Sequence, residues 1–126
     1  MTLSAREFDD LVNDCMDVVP ARFRRRLENV VLVVEPEPPQ PGLLGLFEGR
    51  PAIERSFAES FVPPARITIY QGPHERQSRN RAELRKLVRE TIWHEVAHYF
   101  GLDERRVLLA EKRRQRILGR RRQNDL

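Results

Sequence analysis

The sequence is poor in the features that build disulfide-stapled or membrane-spanning proteins. One cysteine, Cys15, occurs in 126 residues, so no disulfide can close within the chain and a cross-linked secreted scaffold is excluded. No apolar run approaches the ~20 residues that cross a bilayer, which excludes a transmembrane helix. The opening Met-Thr-Leu-Ser-Ala-Arg-Glu-Phe-Asp-Asp turns acidic at once and lacks the apolar core of a signal peptide. These absences predict a cytoplasmic protein with no membrane partner. Internal repeats are missing, which removes solenoids and propellers. Histidine is scarce as well: three occur in the chain, and two of them stand four residues apart.

Charge is plentiful but uneven. The net charge is +4 and the isoelectric point is about 10. Residues 105–122 hold nine Lys or Arg against the single acid Glu111, a local +8 that leaves the rest of the chain near −4. A mildly acidic body therefore carries a basic C-terminal stretch, and its charge alone would admit nucleic acid as a partner. A solvated helix face explains the same arginines without any ligand. The length suits one domain, which we assign to residues 1–112 with a basic extension at 113–126.

Hydrophobic spacing supplies the elements. Residues 4–19 read as an amphipathic helix capped by Ser4, with Glu7 completing a capping box and Phe8, Leu11, Val12, Cys15, Met16 and Val19 along one stripe. Cys15 on that stripe reads as a small core side chain, because no histidine or basic residue neighbours it. Pro20 opens a short second helix with Phe23 and Leu27 inward and Arg22, Arg24, Arg25 and Arg26 solvated. The β-branched run Val30 to Val34 predicts a buried strand. Pro36, Pro38, Pro39 and Pro41 then impose a stiff extended loop. Residues 43–49 fit a short strand or a flap, 51–65 are irregular, and Arg66 to Tyr70 alternates as a second strand that Gly72 and Pro73 end. Its edge is the candidate for pairing an extended peptide.

The clearest helix spans 79–100 and stops at Gly101. Val88, Ile92, Val96, Tyr99 and Phe100 share one face with Trp93 beside it, whereas Leu87, Thr91, His94 and His98 share another with Glu95 at its edge. This second face carries H-E-x-x-H. Histidines at i and i+4 lie one turn apart, so both imidazoles can reach one Zn²⁺. Glu95 is rotated to the side, where it can take a proton from an attacking water instead of binding the metal. A catalytic zinc site needs a third protein ligand. Gly101 lets the chain turn back after the helix, and Asp103 and Glu104 are the acids that follow; Asp103 also suits the cap of a next helix. Glu111 is a more remote candidate.

With these residues the chain resembles the small bacterial zincin-like metallopeptidases. The likeness runs from about residue 5 to 110: the Phe8–Val34 opening, Gly45-Leu46-Phe47-Glu48-Gly49, Glu54-Arg55-Ser56, Arg66-Ile67-Thr68-Ile69-Tyr70, and above all His94 to Glu104. It implies a minimal α+β zincin-like fold, with the active-site helix packed under a small β-sheet and flanking helices. It also implies His94 and His98 as zinc ligands, Glu95 as general base, and an acid after Gly101 as third ligand. Glu104 stands at position eleven of the motif, where zincins carry that ligand, and is one methylene longer than the aspartate of the Asp-zincin pattern; Asp103, the other acid after Gly101, is the alternative. Neither methionine follows the motif, so no Met-turn is available. An oxyanion or substrate donor is expected at Tyr70, Arg55 or His74.

The expected activity is hydrolysis of a peptide or protein by a zinc-activated water. Two alternatives use the same residues. A bacterial endoribonuclease family of ribosomal RNA maturation has H-x-x-x-H-x-x-G-x-D-H, and this chain shares the histidines, Gly101 and Asp103 but has Glu104 where that family has histidine. A non-catalytic zinc module could also dock a partner through residues 105–122.

Overall fold

The chain is described by a computed structural model over residues 2–27, 29–49 and 64–101. Local rules set the helix ends. Ser4 accepts the Glu7 N–H at 3.1 Å while the Glu7 carboxylate accepts the Ser4 N–H at 3.1 Å, closing the expected capping box on α1 (Ala5–Asp14). The expected continuation to residue 19 is not α-helical. Cys15–Val18 tightens into a 3₁₀ turn, and Val19 is already extended, as the residue before a proline prefers. Pro20 then caps α2 (Ala21–Arg24), with Phe23 and Leu27 half-buried against the core and Arg22, Arg24, Arg25 and Arg26 exposed.

Three strands, β1 (Val30–Glu35), β2 (Gly45–Glu48) and β3 (Ala65–Tyr70), form a mixed sheet in the order β1-β3-β2. β1 runs parallel to β3 with Val30 opposite Ala65, and β2 runs antiparallel with Phe47 opposite Ile67. Two expectations are corrected here. The Val30–Val34 run is an edge strand among the described residues, half-buried along its length, with Val31 45% exposed. The strand expected to offer a free edge, Arg66 to Tyr70, is instead central, because β1 and β2 both pair with it. Among the described residues β2 is the second edge.

The strand does not simply end at Gly72 and Pro73. Helix α3 (Gln71–Arg76) follows Tyr70 directly. Pro73 lies in its first turn, where a missing N–H breaks no helical bond. Gly72 leaves room for the Glu37 carboxylate, which Arg76 holds with two hydrogen bonds of 2.7 and 2.9 Å. Asn80 caps α4 (Arg81–Tyr99) by accepting the Glu83 N–H at 2.9 Å. Gly101 ends the helix as expected: it takes a left-handed φ of 73° and its N–H reaches the His98 carbonyl at 2.9 Å.

One core joins these parts. Phe8, Leu11 and Val12 of α1 and Cys15 of the turn after it meet Leu84, Val88, Ile92, Trp93 and Val96 of α4 and Ile67 and Ile69 of β3. The result is a small α+β fold with α4 packed beneath the sheet. No helix among the described residues is long and apolar enough to cross a membrane. The basic stretch at 105–122, the boundary at 112 and 113 and nearly all of the irregular stretch at 51–65 lie outside the described residues.

Candidate metal centre

The last turns of α4 hold the motif. From Thr91 to Tyr99 every residue is buried except His94 and His98, which are half-exposed. The two imidazoles stand with ring centroids 4.6 Å apart at 69°. His98 Nδ1 lies 3.5 Å from Glu95 Oε2. One ligand atom from each of His94, Glu95 and His98 falls within 4.8 Å of the others. Two nitrogens bound tetrahedrally at about 2.1 Å stand about 3.4 Å apart, a spacing that falls inside the 4.8 Å limit on these ligand atoms. Neutral imidazole and carboxylate also match the donor types zinc takes.

Glu95 is 7% exposed. Burial pushes its carboxyl above the ordinary carboxylate range, against the pull of His98, His94 and the hydrogen bond from the Phe47 backbone N–H. That amide comes from the sheet edge. Tyr70 N–H donates to the Leu44 carbonyl at 3.0 Å, so antiparallel alternation points Leu46 at β3 and turns the N–H and C=O of Gly45 and Phe47 outward. The edge strand thus meets the motif helix through its backbone. Gly45 makes the approach possible: a Cβ there would lie 2.7 Å from Thr91 Cγ2 and 3.3 Å from Glu95 Cγ.

The other expected site residues fall elsewhere. Ile67 and Ile69 face α4, so alternation sends the Tyr70 side chain to the opposite face of the sheet, where burial raises its phenol pKa. His74 is fully buried. Its Nδ1 is 2.6 Å from the Tyr70 carbonyl and its Nε2 is 2.8 Å from Thr91 Oγ1, so it reaches α4 one turn before His94 and not at the imidazole pair. Burial lowers its pKa. Arg55, Asp103, Glu104 and Glu111 lie outside the described residues. Cys15 is fully buried with its thiol pushed up to about 11 by desolvation, which agrees with its assignment to the core.

Three contributors to this arrangement escaped the sequence reading: the Phe47 amide, Gly45 and the hydroxyl of Thr91. A glycine inside a strand was the available signal for a close backbone approach. Nothing local marked the amide.

Comparison with known proteins agrees with this geometry. A solved structure of a conserved hypothetical protein from Thermo thermophilus is similar, with 27% identity and a TM-score of 0.53 over 78% of this chain and 94% of that one. No curated protein matches the chain. The family of zincin-like metallopeptidases matches residues 27–113, more than half the chain and the whole of the motif. The chain belongs to the zincin-like metallopeptidase family.

Proposed function

We propose that the chain is a zinc-dependent peptidase that cleaves a peptide bond with water. The observation that carries this reading is the buried Glu95, set between two half-exposed imidazoles and held by an edge-strand amide. His94 and His98 bind the metal, with Glu104 or Asp103 as third ligand. Zinc held there supplies Lewis acidity to the scissile carbonyl and to the attacking water. Glu95 is the general base: a carboxylate with its pKa raised by burial accepts a proton more readily than an exposed one, and it can return that proton to the leaving amine. The outward Gly45 N–H and the outward C=O groups of Gly45 and Phe47 offer pairing to an extended peptide beside the same carboxylate. Arg55 remains the candidate donor to the developing oxyanion, since Tyr70 and His74 have other partners or another face.

Glu95 also bears on the alternatives. A buried proton acceptor beside the imidazoles suits amide hydrolysis, in which the leaving amine must be protonated, better than a passive docking module. The basic residues 105–122 would then serve to bind a substrate or partner.

The test uses zinc-loaded protein and a diverse peptide library. Wild type cleaves members of the library, and Glu95→Gln retains zinc while cleavage falls about 10²- to 10⁴-fold. An intact library together with His94-dependent cutting of RNA would reassign the chain to RNA hydrolysis. Zinc binding without cleavage of either substrate would reduce it to a binding module.

A further inference from the structure

His74 takes no part in the chemistry above, yet it is fully buried and both its ring nitrogens are engaged. The Tyr70 carbonyl can only accept, so Nδ1 carries a proton and donates to it. In the neutral ring Nε2 is then an acceptor, and the Thr91 hydroxyl donates to it across 2.8 Å. The Leu87 carbonyl, 3.0 Å from Thr91 Oγ1, competes for the same single proton. The ring therefore ties the last residue of β3 to the turn of α4 that precedes His94. Phe8 backs the ring from the N-terminal helix, centroid to centroid 6.1 Å.

Thr91 has a second contact. Its methyl occupies the space that a Cβ on Gly45 would need, beside the Glu95 methylene. Gly45 begins β2, and two residues on is Phe47, whose amide faces the Glu95 carboxylate. One side chain thus receives a fixed orientation from His74 through its hydroxyl and spaces the edge strand through its methyl.

We propose that His74 is a positioning residue: acting through Thr91, it fixes the motif helix against strand β2 and so keeps the Glu95 side chain packed beside Gly45 and Phe47. The kinetic consequence rests on the peptidase reading; the geometric one does not. A small displacement of a reacting group is costly because the near-attack geometry is lost.

The test compares Thr91→Val, Thr91→Ser and His74→Leu in the full chain. Valine keeps the branched shape and the methyl toward Gly45 but removes the hydroxyl; serine keeps the hydroxyl. The first readout is the Phe47 amide proton by NMR, which requires neither metal nor substrate. It moves upfield in Thr91→Val and His74→Leu by more than the neighbouring Leu46 and Glu48 amides, and stays near its wild-type position in Thr91→Ser. The second readout is hydrolysis. In Thr91→Val, kcat falls about 3- to 100-fold while KM changes less than about twofold, and Thr91→Ser recovers to within about threefold of wild type. If His74→Leu does not fold, Thr91→Val decides alone. A folded Thr91→Val with an unmoved Phe47 amide, melting lower but otherwise like wild type, would overturn the proposal and leave His74 as packing. A wild type that cleaves nothing would defeat the peptidase reading, while the amide shift would still decide the positioning.

Discussion

Helix α4 changes character halfway along. From Arg81 to Glu90 it buries Leu84 and Val88 and leaves the other positions exposed or half-exposed, the pattern of an ordinary amphipathic helix. From Thr91 to Tyr99 it buries everything but His94 and His98, the polar side chains of Thr91 and Glu95 included. The backbone and cap are common to both halves, so the difference lies in what surrounds them. The first half faces water on one side. The second runs under β2; its buried Thr91 hydroxyl finds His74 and its buried Glu95 lies beside His98 and the Phe47 amide, whereas Trp93 Nε1 has no hydrogen-bond partner among the described residues. Burying such groups costs free energy unless they are hydrogen-bonded. The first half anchors a fold, and the second spends stability on holding a carboxylate beside two imidazoles.

The contrast is broken most sharply at Glu95 and Glu90. Glu95→Gln is expected to lower peptide hydrolysis about 10²- to 10⁴-fold and to leave the metal-free protein as stable or more stable, since it removes a buried charge held above its ordinary pKa. Glu90→Gln, one turn earlier, changes neither. Steady-state cleavage and thermal melts of both variants measure this. Next in size is the core of the first half: Leu84→Ala loses about 2–5 kcal/mol, against about 0.5 kcal/mol or less for Lys86→Ala on the exposed side, both read by urea unfolding. Gly45→Ala brings a methyl onto Thr91 and Glu95 and costs about 1–3 kcal/mol by overpacking, and it lowers hydrolysis because the edge strand must move off the helix. Alanine scanning along β2 checks whether Gly45 exceeds its neighbours.

The smallest effect is a pH dependence. His74 is held below its ordinary value of 6.5 by burial, so the unfolded chain takes up a proton first as the pH falls. The stability contributed by the neutral buried ring is complete above about pH 6.5 and is lost as the pH drops through that value toward the lower folded pKa. The unfolding free energy of wild type therefore declines over this interval, and His74→Leu flattens that part of the curve. An unchanged slope in His74→Leu would show that another group carries the titration.

Much of this was written locally. The Ser4 capping box, the stop at Gly101, the long helix and its paired histidines follow from residue type and spacing within one or two turns. Assignments that depended on distant partners went astray. Val30 to Val34 looks like an interior strand, yet a run of β-branched residues says nothing of how many neighbours pair with it, and β3 takes the central place. Gly72 and Pro73 look like terminators, yet Pro73 fits a first helical turn and Gly72 makes room for Glu37. At the site, the two imidazoles and Glu95 were legible from the motif. The Phe47 amide was not, because it is a backbone group oriented only by the pairing of β2 with β3.

The most direct test of the centre is zinc stoichiometry, measured by elemental analysis after dialysis, in wild type and in the double variant His94→Ala/His98→Ala. The arrangement of the two imidazoles predicts one zinc per wild-type chain and none in the folded double variant. Equal zinc in the two proteins, or none in either after loading, would contradict it.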